Sequence, residues 1–254
     1  MTDMTQDEID EAVGAMRDPK SAAKQRDPVE YVLDHGFVRL VDHMGGDLSI
    51  VRAARVSYNA AWRAGEDDGS DAKLIRYLVR NRHTTPLESV VFQFEVKAPI
   101  FVFRQWHRHR MATINEVSAR YAELPGDYYV PATDNIGSQS TSNKQARNLG
   151  VVGANFVEKE ISAQLISDSC RCSFATYRML IERGVPRELA RTVLPVATYS
   201  HMFWKSDLHN LFHFLSLRLH PHAQYEIRVY AEAMLKLIEP VVPVVVAAWK
   251  ELRA

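Results

Sequence analysis

The sequence predicts one α+β domain over residues 29–254, preceded by a polar extension over residues 1–28. Three observations carry that prediction. Segments with the period of a strand and segments with the period of a helix are interspersed along the chain. No internal repeat multiplies them, and no linker divides residues 29–254. A chain of 254 residues with 46% apolar content is also long enough to bury a sizeable core.

The elements follow in order. Residues 1–28 are charged and broken by Asp18-Pro19 and Asp27-Pro28, so they read as an extension outside the core. "FVRLVDHMG" (37–45) reads as a strand closed by Gly45-Gly46. Asp47 is placed to cap the helix "LSIVRAARVSY" by accepting from its orphan N–H groups. "GEDDGSD" (65–71) is a loop, and Asp71 is placed to cap "AKLIRYLVRNR". In "VVFQFEVKAP", Phe92, Phe94 and Val96 alternate with Gln93, Glu95 and Lys97, the period of a half-buried strand. Pro99 suits the first turn of the next helix, "IFVFRQWHR", where a missing N–H costs nothing. That helix delivers arginines at its C-terminal end, where cations oppose the dipole.

Residues 133–153 are poor in apolar side chains and read as a mobile surface loop. Residues 155–183 read as a long helix with Val157, Ile161 and Leu165 on one stripe and Gly184 just past its end. "PRELARTVL" is a short helix and "ATYSHMFW" a strand. Two helices, 206–220 and 223–239, flank Pro221-His222, and Pro240 and Pro243 set off a final helix.

Composition excludes several classes. Thirty-one basic residues balance thirty-one acidic ones, so the chain is no general polyanion binder and any charge chemistry is local. Cys170 and Cys172 are too few for a disulfide framework, and their spacing is not that of a CxxC pair; they read as core or boundary residues in a reducing cytoplasm. The acidic start lacks a secretory pattern. The longest apolar run, "VVPVVVAAW", is too short to span a bilayer. A dinucleotide fingerprint, a P-loop, a nucleophile elbow and a zinc-protease motif are all missing.

Chemistry concentrates at three places. "RQWHRHRMATINEVSARY" (104–121) gathers Arg104, Arg108, Arg110 and Arg120 with His107 and His109. Such charges repel unless something anionic or open water lies beside them. Asn115, Glu116 and Ser118 add donors and an acceptor, which suits a ligand carrying phosphate together with N–H or hydroxyl groups, such as a nucleotide. In the helix 206–220, Leu208, Leu211, Leu215 and Leu219 form the apolar stripe, and Arg218 projects from it. A guanidinium there needs an acceptor. A structural ion pair and an anionic or carbonyl-bearing ligand both satisfy that need, and spacing leaves the two open. The other face carries His209, His213, Ser216 and His220, with His222 following. It reads as a polar or ligand-facing surface, and a metal site on His209, His213 and His222 is the alternative. Arg187 and Arg191, one turn apart, are a weak signal alone.

"RHRMATINEVSARY" resembles the RHRxxSxxxxSxRY signature of the flavin-dependent thymidylate synthases. "DLSIVRAARVSY", "HTTPLESVVFQFEVKAPIFVFRQW", "GVPRELARTVLP" and "SLRLHPHAQYEIR" resemble further segments of that family, in family order. The resemblance implies an antiparallel sheet packed with helices, in a homotetramer with active sites where subunits meet. It implies methylation of dUMP to dTMP, with methylenetetrahydrofolate as one-carbon donor, NADPH as reductant and FAD as cofactor, and no attacking cysteine. It places Gln105, Arg108, Glu116, Val117, Ser118, Ala119, Arg120, Arg191 and Arg218 on dUMP, with Arg218 favouring the N3-deprotonated uracil. It places Ser57, His83, Thr85, Glu88, Arg108, His109, Arg110, Glu116, Asp207, His209 and His213 on FAD. The chain departs from the family at Thr113, which replaces the first serine of the signature, and at Ala119, where some members have glycine. It departs again at His209 and His213, where some have arginine and asparagine. Outside the resemblance, two other readings stand: a metal-dependent hydrolase on His209, His213 and His222, and an RNA-binding module on residues 104–120.

Overall fold

The computed structural model describes residues 27–66, 68–149 and 156–253. Nearly all of the extension 1–28 lies outside that range, as does Gly150–Gly153 of the proposed loop. Strands β1 (Val29–Val32), β2 (Gly36–Met44), β3 (Val91–Pro99), β4 (Thr113–Glu116) and β7 (Tyr199–Asp207) form one sheet in the order β1-β2-β3-β7-β4. Every pairing in it is antiparallel. The expected α+β architecture is therefore present.

Period two decides which face is covered. Phe92, Phe94 and Val96 are wholly buried, and Phe94 pairs with Trp204 while Val96 pairs with both Val38 and Met202. These side chains form the floor of the main core. The opposite face is polar, with Glu95 accepting from Arg39 at 2.6 Å and lying 2.8 Å from His201. Pro99 is the last residue of β3, opposite Tyr199, rather than part of the following helix. Its fixed φ and missing N–H suit a strand end as well as a helix start.

Helices cover the apolar face. They are α1 (Asp47–Arg55), α2 (Ser70–Arg80), α3 (Ile100–Trp106), α6 (Leu208–Arg218), α7 (Tyr225–Ile238) and α8 (Pro243–Glu251). The stripe Leu208, Leu211 and Leu215 is buried as expected. So is one side of α7, through Ile227, Tyr230 and Met234. From α8, Trp249 stacks on Phe212 at 4.9 Å.

Two cap assignments need correction. Asp47 does not cap α1, whose start is closed by Gly46 N–H donating to Ser49 Oγ at 3.2 Å. The Asp47 carboxylate instead accepts from Val244 N at 2.9 Å and Val245 N at 3.0 Å, and so caps α8. Asp71 lies inside α2, buried, where it pairs with Arg55 at 2.5 Å and accepts from Gly65 N at 2.8 Å. It holds the loop before α2 rather than the helix end. Replacing Asp47 by alanine is expected to cost about 1–2 kcal/mol, read as a lower urea midpoint with unchanged slope.

The remaining elements form a second, smaller cluster. Helix α4 (Phe156–Glu182) packs Phe174 and Tyr177 on Ala190 of the short α5 (Arg187–Ala190). Ile161 and Leu165, expected on one apolar stripe, are 53% and 65% exposed, so among the described residues nothing covers them. Residues 133–149 are not a featureless loop. A 3₁₀ turn (Thr133–Asn135) leads into a hairpin, β5 (Ser138–Gln139) with β6 (Arg147–Asn148), and Arg147 ties it to buried Glu226 at 2.8 Å. Cys170 is buried and Cys172 exposed, both free. Among the described residues no helix is long and apolar enough to cross a membrane.

Candidate active site

Helix α3 ends because its last turn is anchored. Trp106 is fully buried, and the chain tightens past it as His107 N donates to Phe103 O (2.8 Å) and His109 N to Trp106 O (2.9 Å). That turn sends Arg108 and Arg110 outward and His109 inward. The His109 ring, 9% exposed, meets Phe214 edge-on at 4.9 Å and His213 at 5.8 Å.

Arg218 reaches the same turn from α6. Its Nε donates to His109 Nε2 at 3.1 Å and its Nη2 donates to Gln105 O at 2.9 Å. Among the described residues Arg218 has no carboxylate partner: both of its acceptors are neutral. A guanidinium has only donors, so His109 Nε2 is an acceptor and the proton of the neutral ring is on Nδ1. Burial first, then the charges of Arg218 and His213, lower the His109 pKa to about 4. Burial and the like charge of Arg108 likewise press the Arg218 pKa down. Arg218 stays a cation, but one that an arriving anion would stabilise.

The His109 shift has a measurable sign. Between about pH 6.5 and 4 the unfolded chain carries a proton on His109 that the folded chain does not. Folding stability from this group is full above pH 6.5 and falls as the pH drops toward 4. In His109→Gln, whose amide oxygen can accept from Arg218, that part of the loss is removed. The stability difference between the two proteins is therefore expected to move in favour of the variant from pH 7 to pH 4.5, measured by urea denaturation at each pH.

A cavity of about 370 Å³ opens on this corner, lined by Arg108, His109, Arg110, Met111, Trp204, Ser206, Asn210 and His213. A second, of about 210 Å³, adjoins it through His213 and is lined by His83, Thr84, Leu87, His209, Phe212, Ser216 and Trp249 among others. Sequence reasoning missed Trp204, Ser206 and Asn210. Trp204 and Ser206 lie on the covered face of β7, where their alternation marks them as core rather than as cavity lining. Among the described residues, neither Arg108 nor Arg110 has a carboxylate at ion-pair distance, and the buried indole N–H of Trp204 has no acceptor.

The structure brings some of the sequence candidates to these cavities and leaves others apart. Arg108, His109, Arg110, His83, His209 and His213 line them, and Gln105 and Arg218 adjoin. Ser57, Thr85 and Glu88 are exposed in the short 3₁₀ turns 56–58 and 85–89. Asp207 caps α6, its carboxylate accepting from Asn210 N (3.0 Å) and Asn210 Nδ2 (2.7 Å). Glu116 ends the edge strand β4 and accepts from Ser200 Oγ at 2.6 Å. Val117 N donates to His201 O, and Ser118 O closes the turn through Ala119 and Arg120 to Tyr121 N. An ion pair between Glu123 and Arg187 (3.2 Å) joins this segment to the α5 region, where Arg191 is exposed. Residues 116–120 and Arg191 line neither cavity, although Glu116 Oε2 lies 3.7 Å from Nε2 of His107, in the turn that carries Arg108. His222 belongs to neither cavity and packs against His220 at 4.8 Å, apart from His209 and His213. Among the described residues no group of three potential ligands could hold a metal ion.

Comparison with known proteins places this geometry. Residues 39–244 match the family described as thymidylate synthase complementing protein. The chain is 49% identical over 225 residues to the flavin-dependent thymidylate synthase of Gluconobacter oxydans, covering 87% of this chain and 72% of that protein. It is 50% identical over 220 residues to that of Thermus thermophilus, covering 87% and 77%. Among solved structures, a UMP/dUMP methylase from Streptomyces cacaoi bound with 5-Br dUMP superposes with a TM-score of 0.77 at 36% identity, over 87% of this chain and 97% of that one.

Proposed function

The chain belongs to the thymidylate synthase complementing protein family, the flavin-dependent thymidylate synthases, and on that premise we propose how its residues methylate dUMP to dTMP. The observation that carries the reading is the corner where Arg108, Arg110 and Arg218 converge without a carboxylate among the described residues. A phosphorylated, partly anionic ligand is the complement that such a corner lacks.

The residues present fit a flavin nucleotide. Unpaired guanidiniums suit its phosphates. The adjoining cleft, with His83, His209 and His213 beside Phe212 and Trp249, suits a flat ring with polar edges. In this proposal Ser57, His83, Thr85, Glu88, Arg108, His109, Arg110, Glu116, Asp207, His209 and His213 hold FAD. The buried indole N–H of Trp204 is a further donor for it. When bound, FAD supplies the hydride, drawn from NADPH, that brings the one-carbon unit of methylenetetrahydrofolate to the methyl level.

The chain's own residues do the rest. Arg218 keeps unspent N–H groups after those given to His109 and Gln105, and these hold a uracil in its N3-deprotonated form. An anionic ring is the better carbon nucleophile, and a charge fixed in place before reaction stabilises it without reorganisation. His109, neutral and oriented, keeps Arg218 from rotating away. Gln105 and Arg108 complete the near part of the dUMP site. Glu116, Val117, Ser118, Ala119, Arg120 and Arg191 would serve the phosphate and sugar. Because residues 117–120 and Arg191 line neither cavity, one chain would offer them to a neighbour's Arg218. That split, with the uncovered stripe of α4, supports a homotetramer whose sites are shared between subunits, each built on the domain 29–254. The free cysteines lie on α4, away from both cavities, which supports a route without thiol attack. Action in the cytoplasm is part of the same proposal.

The test is a visible spectrum of the purified protein after incubation with FAD and removal of the excess. A retained flavin band that NADPH bleaches anaerobically, followed by dTMP formation from dUMP and methylenetetrahydrofolate, is the expected result. A protein that holds no flavin overturns it.

A further inference from the structure

A chain of side chains behind the site ends at Gln105. Glu226, 1% exposed, accepts from Tyr129 Oη at 3.0 Å, from Arg147 Nη2 at 2.8 Å and from Gln224 Nε2 at 2.9 Å. Gln224 Oε1 in turn accepts from Gln105 Nε2 at 2.5 Å. We propose that Glu226 and Gln224 are positioning residues that fix the amide polarity of Gln105, and through it the enzyme's preference for uracil over cytosine. The proposal rests on the reading of this corner as the dUMP site.

The argument is one of donors and acceptors. A carboxylate that faces a guanidinium and a phenol O–H offers only acceptors, so Gln224 must turn its NH₂ toward Glu226. Its carbonyl then points the other way and selects the NH₂ of Gln105. Gln105 is left with Oε1 and one N–H to offer a ligand, in a single order. Neither amide can flip without setting oxygen against oxygen or N–H against N–H. Tyr129 reinforces the direction, since burial and Glu226 raise its pKa and keep it a donor. The hairpin of β5 and β6 closes the relay through Arg147, whose guanidinium also lies over the Tyr225 ring at 5.6 Å. Uracil and cytosine differ on one edge, where the C4 carbonyl acceptor becomes an amino donor and the N3–H donor becomes an acceptor. An amide locked in one sense, beside the donor-only Arg218, tells them apart; a freely flipping amide does not.

The test is calorimetric titration of the flavin-loaded full-length protein with dUMP and with dCMP. Two variants are compared with wild type. Gln224→Leu cuts the relay at an exposed link, so folding is preserved. Glu226→Gln keeps the shape and lets the amides reverse. Both are expected to reduce the ratio of dUMP to dCMP affinity by about three- to tenfold, with flavin content unchanged. Overturning results are an unchanged ratio in both variants, or equal weakening of both nucleotides, which marks a merely structural role. A flavin-loaded wild type that binds neither nucleotide removes the dUMP reading, and the relay with it.

Discussion

Replacing Arg218 by alanine is expected to lower methyl transfer to dUMP by about 10²- to 10³-fold, the range for losing one donor fixed at a developing charge. Flavin content should be unchanged, because Arg218 is not among the proposed flavin contacts and lines neither cavity. Lysine is expected to restore little. It carries the charge, but an ammonium on a flexible stem cannot hold His109 Nε2 and Gln105 O together in one plane. Single-turnover dTMP formation, beside NADPH oxidation in the absence of dUMP, separates the outcomes. Loss of both activities would move Arg218 from the pyrimidine to the flavin; full activity would remove it from the reaction.

Trp106→Ala should have the largest effect on stability. The indole is wholly buried between Phe214 (4.8 Å), Trp204 (5.9 Å), Tyr230 (6.0 Å) and Phe103 (6.2 Å). Truncating so large a core side chain costs about 3–5 kcal/mol, a large share of the 5–15 kcal/mol or so that holds an ordinary domain folded. At this chain length the melting temperature should fall by about 10 °C. Trp106→Phe is expected to recover most of that, since the indole N–H has no acceptor among the described residues and its removal forfeits no hydrogen bond. The same residue anchors the turn that aims Arg108 and His109. Flavin uptake at 20 °C should therefore weaken in Trp106→Ala even where the protein remains folded.

What the sequence disclosed follows the range of the forces involved. Alternation in β3 was legible because Phe92, Phe94 and Val96 face one covered side. Arg218 was legible because a guanidinium on a leucine stripe demands an acceptor, although which acceptor depends on a turn 109 positions earlier. Asp47 misled because local rules offer it the helix beside it, whereas its true donors are 197 and 198 positions away. Strand β4 escaped because all four residues are exposed and show no apolar alternation. The hairpin 138–148 escaped for a related reason: it is polar but for Ala146, and its anchor is a charge pair with Glu226 rather than an apolar face. Of the candidate site, residue types were readable, but not their division into those that line the cavities and those that do not. That division is a matter of chain path and leaves no mark on spacing.

The hold of Asp47 on Val244 and Val245 bears on how the molecule opens. A helix of nine residues ordinarily frays, and its amides exchange with solvent long before the core does. Here the first turn of α8 is gripped by a carboxylate 197 and 198 positions earlier in the chain, and Trp249 further along it is stacked on Phe212 and borders the His213 cavity. Its inner amides should therefore exchange at the slow rate of the central strands. Deuterium uptake in residues 246–250 becomes a gauge of whole-molecule opening, and a ligand seated beside Trp249 should slow it further.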